Sequence, residues 1–189
     1  TSPISNFIPN DPLFNQQWFL NQFSDCDIDA PEAWDIETGD PDVVIAVVDT
    51  GVDYNHEDLA DNIWTNPGEI PNNWKDDDNN GFVDDINGWD FHDKDNSPMD
   101  YHGHGTNCSG IISAVTNNGI GGAGIASNCK IMPVRVGNNL VWVWNVLEGI
   151  EYAAYNGADI ISLSLGNYAL LDIEKDALDY AYNQGSVLV

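Results

Sequence analysis

Positive charge is what this sequence has least of. Lysine and arginine together number 5, against 31 aspartates and glutamates, for a formal net charge of −26. Such a surface repels phosphate backbones and anionic membranes, which sets both aside as partners. Cysteine is also sparse. Cys26, Cys108 and Cys129 are scattered without any C-x-x-C spacing. Neither a zinc site nor a dense disulfide scaffold is indicated, and a monomer keeps at least one thiol unpaired. No stretch has the length and apolarity of a bilayer-spanning helix or a signal peptide, so the chain is expected to be a mature or trimmed soluble segment. Disorder is excluded from the other side, because 42% of the residues are hydrophobic and tryptophan occurs 7 times. The length of 189 residues suits one domain with a sizeable core. The acidity leaves two readings open, binding of divalent cations or solubility in saline surroundings.

What is present is organised around V-V-I-A-V-V-D-T-G at 43–51. The unbroken, β-branched run 43–48 has the pattern of a strand buried on both faces of a parallel sheet. Asp49 stands at the carboxyl end of that strand, and in α/β sheets ligands bind in the crevice beyond those ends. Aspartic proteases also carry Asp-Thr-Gly, but they need two carboxylates sharing a proton, and no second Asp-[Ser/Thr]-Gly occurs.

The rest of the chain alternates. Residues 1–30 read as an arm packed on the domain, followed by a short helix at Ala30–Trp34. Residues 66–100 form a long loop dense in Asp, Asn, Gly and Pro, of the kind that is functional or ion-organised. A helix opens near Gly105, with Ile111, Ile112 and Val115 expected on one face. Strands are expected at 130–136, where Pro133 hints at an edge or irregular position, and at 159–165. Helices are expected at 143–156 and 173–183, each stopped by a glycine, and a further strand begins at 187. Alternation of this kind means a mostly parallel sheet with helices on both faces, an α/β fold. Ending inside a strand, the chain is expected to be part of a longer domain.

The second landmark is His102-Gly103-His104-Gly105-Thr106. The glycines flanking His104 let backbone and substrate approach closely, and the helix behind it directs the positive end of its dipole at the ring. Asp49 lies 55 positions earlier. An Asp that orients a His is two-thirds of a hydrolase triad, and Asp-His-Ser is one of its known chain orders.

These motifs, with N-H-E-D-L, Y-H-G-H-G-T-N-C-S-G-I and I-I-S-L-S-L-G, resemble in order those of the subtilisin-like serine proteases, the subtilases. N-D-P-L-F, G-W-D-F-H-D-K-D-N-S-P and the cysteine after the histidine motif resemble the thermitase branch in particular. The resemblance runs from Asp11 to Val189. It implies that residues 1–189 are the N-terminal part of one subtilisin-like peptidase domain, with Asp49 as triad aspartate and His104 as general base. It further implies that Ser164, Leu165 and Gly166 pair with a polypeptide substrate's backbone, and that the protein is secreted. The family's nucleophile motif G-T-S-x-[AS] and its oxyanion asparagine motif A-A-G-N are not in this sequence. The expected partner is therefore the remainder of the same protein, carrying the serine. The alternative is a non-catalytic, calcium-binding protein on a subtilase scaffold. Asn107 replaces a usual histidine, and 137–144 is bulky where the family is glycine-rich. In some subtilases a thiol at the position of Cys108 sits beneath the histidine.

Calcium (Ca2+) is the expected cofactor. Residues 76–85, D-D-D-N-N-G-F-V-D-D, follow the first positions of a calcium loop: Asp76, Asp78, Asn80, the Phe82 carbonyl and Asp84, with Gly81 at the turn. The usual late glutamate is absent, Asn87 standing there, and Asp85 is the expected substitute. Carboxylates so crowded repel one another unless a hard cation sits among them. The resemblance implies two more sites. One comprises Asp11, Asp58, Asn118 and the carbonyls of Thr116, Ile120 and Gly122. The other comprises Asp90, Asp93, Asp95, Ser97 and Met99.

Overall fold

The computed structural model describes residues 7–166 and 172–189. Its strands are β1 (Val44–Asp49), β2 (Trp89–Asp90), β3 (Lys130–Arg135), β4 (Ile160–Ser162) and β5 (Val187–Leu188). All pair in parallel in the order β2-β3-β1-β4-β5, with β1 at the centre. The helices are α1 (Ala30–Trp34), α2 (His104–Ser113), α3 (Val143–Tyr155) and α4 (Asp172–Gln184).

Side chains alternate between the faces of a strand, and β1 is buried on both. Ala46 and Val48 join Met132 and Val134 of β3, Leu147 and Ile150 of α3 and Ala177 of α4. Ile45 and Val47 join Ile131, Val52 and Leu59, with Ile112 of α2 packed against them. Full burial of each such side chain contributes about 1.5–3 kcal/mol, which is why neither face of this strand tolerates a polar residue. The result is the expected α/β architecture, α2 on one face and α3 and α4 on the other. Gly157 and Gly185 end α3 and α4 with φ of 80° and 106°. The arm packs through Phe14 and Leu20 against Trp34 and Ala123.

Three expectations are corrected. The fully buried residues of α2 are Gly105, Ser109 and Ser113. Of the expected apolar face Ile112 alone packs against the core, whereas Ile111 is exposed and Val115 lies past the helix end. Small residues there let the helix approach β1 so closely that a Cβ on Gly105 would stand 2.1 Å from the Gly51 carbonyl oxygen. β4 ends at Ser162 rather than 165, since its pairing with β1 stops at Val47↔Ser162. Pro133 sits in an interior strand, paired with Val47. Lys130 and Val136 donate their N–H groups to the carbonyls of Val43, just ahead of β1, and Asp49, its last residue. By alternation the nitrogen of Pro133 points the other way, to the margin where β2 begins only opposite Val134. The missing donor costs nothing there.

Gly105→Ala is therefore expected to destabilise the protein by about 1–3 kcal/mol, the usual cost of overpacking, and to displace His104. Thermal melts of the variant check this, and an unchanged melting temperature would refute the close-approach argument.

Candidate active site

Alternation places Asp49 on the α2 side of the sheet, and His104 is the first residue of α2. Their side chains meet: His104 Nδ1 lies 2.7 Å from Asp49 Oδ1. The carboxylate is fully buried, while the imidazole is 45% exposed. Asp49 Oδ1 also accepts the Thr50 N–H at 2.6 Å, and Oδ2 is buried without a protein partner among the described residues. A negative group held dry beneath a ring favours a proton on Nδ1 and stabilises the ring when it gains a second. Nε2 then faces outward as an acceptor. The pair can serve as a general base.

The histidine segment is anchored by Asp100, a residue sequence reasoning missed. Its carboxylate accepts N–H groups of His102 (2.8 Å), Gly103 (2.9 Å) and Thr106 (3.0 Å), and the hydroxyls of Thr106 and Thr50. Burial disfavours its charge, but these donors outweigh burial and hold the carboxyl below its ordinary value. Thr50 in turn accepts the Gly105 N–H at 3.0 Å. The one signal available was an acidic residue just before a helix start, which is common and weakly informative.

Ser164, Leu165 and Gly166 follow β4 at the same end of the sheet. Ser164 and Gly166 are exposed, while Leu165 is half-buried against the core. Ser164 lies close enough to Cys108 to favour its thiolate slightly, and the Cys108 sulfur lies within 4.8 Å of ligand atoms of both Asp49 and His104. Burial pushes the Cys108 thiol up, outweighing the Ser164 contact, so it stays a thiol at neutral pH. Alkylation by iodoacetamide is expected to modify exposed Cys26 first, Cys108 slowly and buried Cys129 last. Time-resolved peptide mass spectrometry reads the order, and rapid labelling of Cys108 would contradict it.

The geometry has counterparts among known proteins. Residues 40–189 match the family model described as the subtilase family. The chain is 42% identical to thermitase of Thermoactinomyces vulgaris, over 97% of this chain and 57% of that protein. This chain belongs to the subtilase family. It is also 37% identical to the halolysin-like extracellular serine protease Nep of Natrialba magadii, covering 84% of this chain and 26% of the relative. Among solved structures, a protease from Pseudoalteromonas arctica superimposes with a TM-score of 0.75 at 30% identity, covering 96% of this chain and 57% of that one. The chain thus spans roughly half or less of the length of these relatives.

Of the three expected cation sites, one read from the 76–85 loop and two implied by the resemblance, two have donor sets that suit a hard cation. Asp11 and Asp58 are both buried, 3% and 5% exposed. Asp58 Oδ1 accepts from Asn118 Nδ2 at 2.9 Å, and Asp11 accepts the N–H groups of Asn117 and Asn118. A Cβ on Gly121 would lie 2.0 Å from Asp58 Oδ2, so the cradle is cut to backbone width. The carbonyls of Thr116, Ile120 and Gly122 accept no hydrogen bond among the described residues. Burial first, then Asp11 nearby, pushes the Asp58 carboxyl above its ordinary value.

In the 76–85 loop the carboxylates sort differently from the sequence pattern. Asp78 and Asp85 gather with Glu69, their oxygens within 4.8 Å of one another. Asp76 turns to the N–H groups of Asn80 and Gly81, and Asp84 to those of Asn73 and Trp74. Asn80 Oδ1 accepts the Phe82 N–H at 2.8 Å. Glu69 supplies from upstream the glutamate the motif lacks downstream, and no spacing rule reveals it. Asp85 is fully buried, receiving Tyr152 O–H at 2.6 Å. Burial raises its carboxyl despite bonds from Tyr152, Asn80 and Asn66.

The remaining segment already holds a cation. Asp90 and Asp93 converge on the buried Arg135 guanidinium, and Asp90 Oδ1 accepts the His92 and Asp93 N–H groups. Asp95 accepts the Ser97 N–H at 2.9 Å, and the Met99 carbonyl faces Gly51.

Proposed function

We propose that this chain supplies the aspartate and histidine of a serine endopeptidase that hydrolyses polypeptides through an Asp-His-Ser triad. The observation that carries this is the 2.7 Å contact between buried Asp49 and half-exposed His104. The serine would come from the part of the protein outside these residues, as the partial coverage of relatives suggests. In the reaction His104 Nε2 takes the serine proton and returns it to the leaving amine, while Asp49 holds the tautomer and offsets the imidazolium charge. The backbone at Ser164, Leu165 and Gly166 takes up an extended substrate by main-chain hydrogen bonds, which gives affinity with little side-chain selectivity. Likeness to an extracellular protease supports a secreted protein.

Calcium is assigned to the two sites where, among the described residues, no lysine or arginine reaches the carboxylates, Asp11–Asp58–Asn118 and Glu69–Asp78–Asp85. When bound, the ion neutralises buried carboxylates and ties the arm and the long loop to the sheet. Arg135 meets that need at Asp90 and Asp93.

A fluorophosphonate probe tests the reading. Applied to the full protein, it is expected to add once to a serine outside residues 1–189, and not at all in the His104→Ala variant. Absence of an adduct with the whole protein present would instead support the non-catalytic calcium-binding scaffold.

A further inference from the structure

A groove of about 590 Å³ runs along α3 on the sheet face away from His104. Its lining is aromatic, with Phe82, Trp89, Phe91, Tyr152, Tyr155 and Tyr180. Phe82 is the hub, its ring centroid 5.0 Å from Trp89, 5.5 Å from Phe91 and 5.0 Å from Tyr152. On the rim stand Glu148 and Glu151, exposed on successive turns of α3, with Tyr155 one turn further at 62% exposure. Neither glutamate has a hydrogen-bond or ion-pair partner among the described residues. Lys94 also lines the groove, so two carboxylates face one ammonium.

Core packing accounts for Phe91 and Tyr152, which belong to the buried cluster, and for the inner sides of Phe82, Trp89 and Tyr180, but not for Tyr155 and the two glutamates on the rim. Buried beneath it, Tyr152 already spends its hydroxyl on Asp85. What remains open is the exposed ring of Tyr155 and the half-buried rings of Phe82, Trp89 and Tyr180, negative at their faces, beside two carboxylates unpaired among the described residues, on a chain of net charge −26. An anion is repelled from such a surface, and a neutral apolar ligand would leave both glutamates beside it uncompensated. A guanidinium suits both features, because it stacks on a ring while its edge bonds a carboxylate.

We propose that this groove docks an arginine-bearing, basic segment of a polypeptide, stacked on Tyr155 and Trp89 and held by Glu148 and Glu151. The docking site is separate from the Asp49–His104 pair and does not depend on the peptidase reading. It does depend on the 76–85 loop, which contributes Asn80, Gly81 and the Phe82 ring to the lining.

The test is fluorescence anisotropy with a labelled peptide, acetyl-Arg-Gly-Arg-Gly-Arg-amide, at about 0.15 M salt, where long-range charge effects are screened. The full protein carries His104→Ala throughout so that the probe is not cut. Saturable binding is expected, weakened about tenfold by Glu148→Gln with Glu151→Gln and several-fold by Tyr155→Ala. Asp35→Asn with Asp42→Asn makes the same charge change at exposed positions elsewhere and is expected to alter affinity less than about twofold. Equal weakening by both pairs would mean diffuse attraction to an acidic surface and overturn the proposal. So would undiminished binding of a citrulline version of the peptide, or no binding at all.

Discussion

Asp49→Asn in the full-length protein is expected to lower kcat by about 10⁴-fold with little change in KM, the size of effect seen when a triad aspartate loses its charge. Oδ1 is shared by the His104 ring and the Thr50 N–H. An amide there fails in either orientation. With its oxygen in that place, the NH2 group occupies the buried position of Oδ2, which has no partner among the described residues, and the charge that favours an imidazolium is gone. With its nitrogen there, two donors face each other at Thr50 and the ring is forced to carry its proton on Nε2, where it cannot act as a base. Steady-state kinetics on a peptide substrate, with a melt to confirm folding, would decide the point. A loss below tenfold would sink the assignment of Asp49.

Removing calcium is expected to have the largest effect on stability, a fall in melting temperature of about 10–20 °C in chelator. A site holding its ion at 100 times Kd adds about 2.7 kcal/mol, and each kcal/mol moves a chain of this size by about 2–4 °C. Two sites account for the range. Asp58→Asn and Asp85→Asn are each expected to remove part of the calcium response. The sign of the pH dependence follows from burial. Both carboxyls are raised above 3.8 in the folded chain, so the metal-free fold binds more protons than the unfolded chain and loses stability as pH rises through the raised values. A bound cation offsets that loss, so the gap between melts in calcium and in chelator is expected to widen in the same direction. Identical melts in calcium and chelator at neutral pH would refute both sites.

Much of the architecture was legible because it is written in period. The apolar run of β1, the spacing of Leu147, Ile150 and Ala154 in α3, and the glycine stops at 157 and 185 each express a local preference that the sheet then used. The α2 face was misread for the opposite reason. Beside Ile112, its buried residues are glycine and serine, which carry no hydrophobic signal, and its approach to the end of β1 depends on backbone meeting backbone. Asp100 was missed because an acidic residue ahead of a helix start is commonplace, although the N–H groups it accepts are only two to six residues on. Glu69 was missed because the N–H groups it accepts lie 8 and 15 residues away with no motif to mark them.

By itself the sequence determined an acidic α/β subtilase chain with a strand-end aspartate and a helix-start histidine, since strand burial and turn chemistry are local. Only the tertiary structure decided how that chemistry converges. It brought Asp49 and His104 into contact across 55 positions, and gave Asp90 and Asp93 to Arg135. It also drew Glu69 to Asp78 and Asp85 rather than Asp76 and Asp84. The physical reason is that a buried charge takes whichever partner the fold brings within reach, and reach is set by strand register and helix placement, not by distance along the chain.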